Sequence, residues 1–173
     1  VSSVPTYWGD QPILEAPAYI GASIFFLFIL SLFIVRGPFK WWLLISFIIS
    51  LTLSWGKNFP LLTNFFIDYF PFYNKFRAVS SIQVIIEFAV PFLSVIGLHK
   101  FLTDFNVKNI NRTFIAFTVP LVLLFLFKGS LSFSGLYDDY YSNVYGPEIF
   151  RMIVEERQNI FSKDVIRAII IGI

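Results

Sequence analysis

The sequence predicts an all-α, polytopic helical membrane protein with four full transmembrane helices, the start of a fifth, and interfacial helices on the extracytoplasmic side. Three observations indicate this fold class. Of the 173 residues, 57% are hydrophobic and only 14% are charged, whereas soluble domains carry about 25% charged residues. Phenylalanine alone occupies 23 positions, more than a soluble fold of this size is able to bury. Apolar runs of nearly membrane-spanning length also recur along the chain.

Composition excludes several kinds of site. The sequence has no cysteine and a single histidine, His99, which excludes disulfides, thiolate metal sites and a multi-histidine site within this chain. The net charge of +2 is too small and too scattered for a nucleic-acid-binding protein. Residues 1–16 lack the basic start and apolar centre of a signal peptide. From the first residue, Val1, and the short apolar end after Asp164, we expect residues 1–173 to be a single transmembrane region of a larger polypeptide.

The transmembrane helices follow from the apolar runs, taken in order. The first run, PAYIGASIFFLFILSLFIV, carries no charge and is long enough for roughly 28 Å of helix. The second follows the tight turn RGPFK and has tryptophans at both borders, where they favour the membrane interface. The expected transmembrane segments are about 17–35, 40–56, 78–98, 113–128 and, truncated, 163–173.

Loop charges predict the orientation of these helices. The turn RGPFK and residues 99–112 are rich in cations and poor in acids, so we place both in the cytoplasm. The loops 56–77 and 129–162 then lie on the extracytoplasmic side. Each contains an amphipathic stretch suited to a helix in the membrane interface, LLTNFFIDYF in the first and EIFRMIVEERQNIF in the second.

The loop 56–77 is the first candidate site, because its charge opposes the usual asymmetry. It carries three cations, Lys57, Lys75 and Arg77, and one acid, Asp68, among many aromatic residues. One interpretation is an aromatic belt with snorkelling cations, and another is an ion pair between Asp68 and Arg77. The third is a lipid-phosphate-binding site of Lys57, Tyr73, Lys75 and Arg77, since arginine offers a planar fork of donors and lysine a point charge.

The second candidate is the intramembrane polar pair Gln83 and Glu87. With Ser80, Pro91 and Ser94 they repeat every three or four residues and share one helix face. A carboxylate within a membrane normally faces a polar partner or a wet cavity. Glu87 is therefore expected to face protein, as a structural hydrogen-bonding group, a cavity-lining group or, in a transporter, a proton relay.

Charged residues near the C-terminus form the third candidate. Arg157, Asp164 and Arg167 are grouped there, and the last two are three residues apart, so they predict a structural ion pair. Helix capping and anchoring at the membrane border are the other interpretation. The neighbouring acids Asp138 and Asp139 offer carboxylates to a divalent cation or an acceptor hydroxyl, although a solvated loop also explains them.

Several phrases together resemble the YfhO-type bacterial multi-pass membrane proteins. They are TYWGDQP, PAYIGASIFFLFIL, LSWGKNFPLLTNFFIDYFPFYNKFRAVS and EERQNIFSKDVIRA, and the resemblance covers nearly all of the chain. That family is similar in architecture to the GT-C glycosyltransferases, which use polyprenyl-phosphate sugars on the extracytoplasmic face. The resemblance implies a location in the bacterial inner membrane.

The resemblance also implies a function and partners. It implies part of an enzyme that transfers a sugar from a polyprenyl-phosphate donor to a cell-envelope acceptor, with membrane lipid and the lipid-linked sugar phosphate as partners. The catalytic acid of GT-C enzymes lies in a first extracytoplasmic loop, so no residue of this sequence is assigned to that role. The alternative is a non-catalytic accessory subunit that packs against other membrane subunits.

Overall fold

The structure, a computed structural model, describes residues 6, 8–9, 19–75, 79–104 and 106–172. It is all-helical, with 83% helix and no strand in this part of the chain. The predicted fold class is therefore confirmed at the level of an all-α protein. The chain divides into two compact units. We call Ile20–Phe114 the central unit, and Val1–Tyr19 with Ile115–Ile173 the terminal unit.

Seven α-helices follow one another along the described residues. They are α1 (Ala22–Ile34), α2 (Pro38–Ser54), α3 (Pro60–Tyr69), α4 (Gln83–Thr103), α5 (Val107–Leu126), α6 (Asp138–Tyr145) and α7 (Pro147–Gly172). Short 3-10 turns lie at Gly56–Asn58, Tyr73–Lys75, Val79–Ile82 and Lys128–Ser130. Helix α5 begins in the central unit and continues into the terminal unit.

The central unit is built around the crossing of α1 and α4. Gly97 of α4 lies against Ser31 of α1, where a Cβ placed on Gly97 would overlap the Ser31 Cβ and lie 2.9 Å from the Ser31 Cα. Ser94, one turn earlier on α4, donates a hydrogen bond of 2.9 Å to the carbonyl oxygen of Ile24 on α1. Small residues thus let the two backbones approach closely, which is how apolar helices pack without large side chains between them.

These contacts also give the directions of the helices. Residues 24 and 31 of α1 meet residues 94 and 97 of α4 in the same order, so α1 and α4 run parallel. The tight turn between α1 and α2 makes α2 antiparallel to both. Phe28 of α1, Val35 just after it, and Val90 and Leu93 of α4 lie in the apolar core, and residues of α2 pack against it. Within the central unit α1 and α4 therefore share one direction and α2 runs in the opposite one.

The turn between α1 and α2 has a simple local cause. Gly37 has a φ of +116°, which favours glycine, and Pro38 follows at the first helical position, where its fixed φ suits a helix start. The Lys40 ammonium donates a hydrogen bond of 3.1 Å to the carbonyl oxygen of Leu32 in the last turn of α1. A cation is stabilised there because helix C-termini carry unpaired carbonyls and partial negative charge.

Helix α7 of the terminal unit is one continuous helix of 26 residues. The sequence predicts two elements here, an interfacial helix and a transmembrane helix that starts near residue 163. The predicted boundary falls at Lys163 and Asp164, but neither residue breaks a helix, and the backbone continues through both.

Two helices, α4 with 21 residues and α5 with 20, are long and apolar enough to cross a membrane. Helices α1 and α2 are apolar but shorter, with 13 and 17 residues, where a crossing needs about 20. Many large apolar side chains of α4 and α5 are exposed, among them Val84, Phe88, Val95, Ile115 and Leu126. The length and composition of α4 and α5 are weak evidence for a membrane protein, and four full transmembrane helices stay a prediction.

The crossing of α1 and α4 leads to a first testable prediction. Gly97→Ala is expected to destabilise the protein by about 1–3 kcal/mol, because the new methyl group overlaps Ser31 where neither backbone has room to move. The measurement is unfolding in detergent, followed by circular dichroism. Gly129→Ala is the matched control, since a Cβ on Gly129 meets nothing within 4 Å. Equal stabilities of the two variants would show that the crossing is not tightly packed.

Candidate functional site

The first candidate site lies on the segment from α3 to the 3-10 turn Tyr73–Lys75, which we call the aromatic segment (residues 60–75). Pro60 occupies the first turn of α3, where its missing N–H is not needed. The buried hydroxyl of Thr63 donates a hydrogen bond of 2.9 Å to the carbonyl oxygen of Gly56. This bond ties α3 to the preceding turn Gly56–Asn58, and thus fixes the start of the aromatic segment.

Ring contacts hold the aromatic segment together. Phe66 stacks on Phe70 with ring centroids 4.4 Å apart, and it meets the ring of Tyr73 at 5.5 Å. On the neighbouring side Phe65 lies 5.1 Å from Tyr69. Such pairs contribute about 0.5–1.5 kcal/mol each beyond the burial of their area. The outer rings stay exposed, so the segment presents an aromatic surface.

The turn after α3 carries local strain. Phe72 has a φ of +68° and is 76% exposed, an uncommon conformation for a bulky residue, which costs about 1–3 kcal/mol. The backbone N–H of Lys75 donates a hydrogen bond of 3.0 Å to the carbonyl oxygen of Phe72. Burial raises the pKa of the Tyr73 hydroxyl above its ordinary value. Tyr73 is half-buried in this turn, and Lys75, two residues later, is exposed.

The predicted lipid-phosphate-binding set lies on two turns and a part of the chain outside the described residues. Tyr73 and Lys75 share one 3-10 turn, and the backbone of Lys57 lies in the turn Gly56–Asn58 that precedes α3. Arg77 lies outside the described residues. Asp68, the other partner in the ion-pair interpretation, is exposed on α3. The lipid-phosphate site, its ion-pair alternative and its anchoring alternative all stay predictions.

The polar face predicted on α4 divides in the structure. Ser94 is buried against α1, and Gln83 is half-buried, whereas Glu87 is exposed on the central unit. Helix α4 continues through Pro91. Glu87 thus lies at the edge of the exposed apolar face of α4, beside Val84 and Phe88.

The terminal unit contains a buried ion pair between Arg157 of α7 and Asp138 at the start of α6. Arg157 is 0% exposed, and its two terminal nitrogens donate to the two carboxylate oxygens of Asp138 at 2.9 and 3.1 Å. Arg157 also donates to the carbonyl oxygen of Phe133 at 2.8 Å. The same carboxylate accepts a bond of 2.7 Å from the backbone N–H of Gly135. This fork-to-fork geometry is the strongest form of carboxylate–guanidinium contact.

Aromatic packing surrounds the buried ion pair. Phe133 is buried between Trp8 and Phe161, with ring centroids 5.5 and 5.6 Å away. The backbone N–H of Gly9 donates a bond of 3.0 Å to the carbonyl oxygen of Ser134. The ion pair therefore joins the loop 131–137 and the start of α6 to α7, and residues 8–9 contact that loop.

This pair changes the interpretation of Asp138 and Asp139. Both carboxylate oxygens of Asp138 already accept hydrogen bonds, while Asp139 is exposed. The described residues hold no group of three metal-binding side chains. Asp138 is thus neither a solvated loop acid nor a free ligand. Asp139 alone does not provide the several oxygen ligands that a divalent cation needs.

Sequence reasoning grouped Arg157 with Asp164 and Arg167 and missed its true partner. A signal was present, because Arg157 follows the buried Ile153 by four residues and precedes the buried Val165 by eight, so it lies on the apolar face of α7. An arginine on a buried face needs a carboxylate partner. Asp164 and Arg167 are exposed on α7, and their pairing stays a prediction.

The buried ion pair leads to a second testable prediction. Arg157→Met or Asp138→Asn alone is expected to destabilise the terminal unit by about 3–5 kcal/mol, because each leaves one buried charge without its partner. The double variant Arg157→Met with Asp138→Asn removes both charges and is expected to lose less than the sum of the two single variants. The measurement is chemical unfolding in detergent, with exposed Arg167→Met as the matched control. Additive losses would contradict the pairing.

Comparison with protein-family models, with curated proteins and with solved structures finds no match for this chain. The resemblance to YfhO-type proteins therefore stays a prediction from the motifs. Over the described residues the structure is all-helical, with two helices suited to a membrane, an exposed aromatic segment and a buried ion pair.

Proposed function

We propose that this chain is part of a multi-pass protein of the bacterial inner membrane that binds a lipid-linked sugar phosphate at its extracytoplasmic side. In this proposal the whole protein is a glycosyltransferase of GT-C type that transfers the sugar from a polyprenyl-phosphate donor to a cell-envelope acceptor. The motif resemblance supports the reaction class, and the exposed apolar faces of α4 and α5 support a membrane setting.

The aromatic segment is the observation that carries the proposal. It joins an exposed aromatic surface to an exposed ammonium at Lys75. Aromatic faces suit the apolar chain and the sugar ring of a lipid-linked donor, and a cation suits its phosphate. The turn Val79–Ile82 follows soon after and leads into α4. The proposed site therefore lies where a candidate membrane helix begins.

The proposed chemistry assigns the cations to the leaving group. When the sugar is transferred, negative charge develops on the phosphate of the carrier. Lys75 and Arg77, with Lys57 in support, would stabilise that charge, which is the usual role of fixed cations in group transfer. The motif resemblance assigns the catalytic acid of a GT-C enzyme to no residue of this sequence, so the role proposed for these cations is to bind the phosphate and stabilise its charge without proton transfer.

A second candidate function, an accessory membrane subunit without catalysis, is favoured by Glu87. This carboxylate is exposed at the edge of the apolar face of α4. In a membrane such a group is expected to meet a polar or basic partner. A neighbouring subunit or another helix of the same polypeptide would provide that partner.

The proposed orientation is testable because the sequence contains no cysteine. In a full-length protein otherwise free of cysteine, Lys75→Cys is expected to react with a membrane-impermeant maleimide added to intact spheroplasts. Asp104→Cys, between α4 and α5, is expected to react only after permeabilisation. Both residues are exposed, so poor access within the protein does not explain a failure to react. The reverse labelling pattern would refute the extracytoplasmic placement.

The proposed phosphate contact is tested with Arg77→Ala and Lys75→Ala in the full-length protein. Each is expected to lower sugar transfer by about 10²–10³-fold, as when one group that stabilises developing charge is removed. The measurement is transfer of radiolabelled sugar from a polyprenyl-phosphate donor in membranes, normalised to the amount of protein there. Arg112→Ala is the matched control, because it removes an exposed arginine close to the loop between α4 and α5. Normal sugar transfer by Arg77→Ala would show that Arg77 does not stabilise the phosphate of the donor.

A further inference from the structure

The packing of the central unit gathers five cations at one end, which we call the basic end (Arg36, Lys40, Lys100, Lys108 and Arg112). Because α1 and α4 run parallel and meet at Ser31 and Gly97, their C-terminal ends lie at the same end of the unit. Ile34 and Thr103, where these helices end, are about 5 and 9 Å beyond that contact along the helix axes.

The two following helices start at this same end. Helix α2 begins four residues after the end of α1, and α5 begins four residues after the end of α4. The pairing of the Phe114 ring with Phe26, at 6.3 Å, shows that α5 runs back along α1. Lys40, Lys108 and Arg112 therefore lie within the first two turns of helices that leave the basic end.

Most of this charge is accessible. Arg36, Lys108 and Arg112 are exposed, and Lys100 is half-buried. Lys40 contacts the carbonyl oxygen of Leu32 and lies 5.1 Å from the centre of the Trp41 ring. The segments that form the basic end are residues 35–40 and 99–112. They carry these five cations and one acid, Asp104. The five cations thus outnumber the single acid in the segments that form the basic end.

Apolar side chains border the same cations. Trp41 and Trp42 follow Lys40 and are 57% and 71% exposed, and Leu102 follows Lys100 and is 73% exposed. Exposed tryptophan beside lysine and arginine is typical of residues at the level of lipid headgroups. Aliphatic stems of lysine and arginine cover apolar surface there while their charges reach the phosphates.

We propose that the basic end is a binding site for the headgroups of anionic phospholipids. The arginines supply forks and the lysines point charges for phosphate, and the tryptophans and Leu102 lie against the upper acyl chains. This proposal rests on the membrane setting of the proposed function, but it is independent of sugar transfer. It assigns the basic end to lipid phosphate diesters that stay in the bilayer, and not to the polyprenyl-linked donor at the opposite end.

The test uses the tryptophans as local reporters. The sequence has four, so Trp8→Phe and Trp55→Phe leave only Trp41 and Trp42 at the basic end. The full chain with these two changes is reconstituted into bilayers that contain brominated phosphatidylcholine or brominated phosphatidylglycerol, and quenching gives the relative affinity for the two lipids. We expect a preference for phosphatidylglycerol of about fivefold or more, because one cation near an anionic surface contributes about that factor.

Variants separate headgroup binding from membrane insertion. The double variant Arg36→Gln, Lys100→Gln is expected to bring the ratio of the affinities for phosphatidylglycerol and phosphatidylcholine close to one. Brominated phosphatidylcholine is still expected to quench fully. Arg151→Gln with Lys163→Gln, which removes two exposed cations of α7 outside the central unit, is the control and is expected to keep the preference. Raising the salt concentration to 1 M is expected to weaken the preference without any substitution, since exposed charges are then screened beyond about 3 Å.

The outcomes are distinct. Equal quenching by the two lipids in the parent protein would overturn the headgroup site and leave the membrane setting intact. Absence of quenching by either lipid would overturn the membrane setting and the headgroup site together. A preference lost equally in the Arg151→Gln, Lys163→Gln variant and in the Arg36→Gln, Lys100→Gln variant would show that net charge, and not the basic end, recruits the lipid.

Discussion

The close approach of α1 and α4 at Ser31 and Gly97 is the constraint on which the central unit depends. Between helices surrounded by lipid there is little hydrophobic driving force, so association needs tight van der Waals contact and hydrogen bonds. The absence of a side chain at Gly97 permits the first, and the bond from Ser94 to Ile24 supplies the second. Because the crossing sets α1 and α4 parallel, it also decides which loops share an end. The grouping of charge at the basic end is a consequence of that direction.

The terminal unit is held by different chemistry. Its centre is a guanidinium that is removed from solvent and bonded to a carboxylate and a carbonyl oxygen. Such a pair adds little net stability over an apolar core of the same volume, but it strongly disfavours any arrangement in which the two charges are apart. The pair therefore specifies where the loop 131–137 and the start of α6 lie along α7. Close contact between small residues fixes the packing of α1 on α4 in the central unit. A buried charge pair fixes the packing in the terminal unit.

The sequence predicted the parts of the fold that depend on local pattern. Apolar runs located the helices α1, α2, α4 and α5, although α1 begins only after Gly21, later than the run suggested. The sequence predicted that a new helix starts near Lys163, whereas α7 continues through this residue. Charge alone does not stop a helix. The Arg157 pair was missed because its partner is 19 residues away, across a loop and a separate helix. At the candidate site, the shared turn of Tyr73 and Lys75 follows from local spacing, whereas the pKa of Tyr73 depends on ring packing that no spacing reveals.

The continuity of α7 has a mechanical consequence. An uninterrupted helix of 26 residues is about 39 Å long, and its interior has no proline or glycine at which it would kink sharply. Arg157 is held near its middle, and the apolar residues from Ala168 onward form its far end. Because no hinge lies between Arg157 and the C-terminal turns of α7, a shift of the loop that holds Asp138 would move those turns with it.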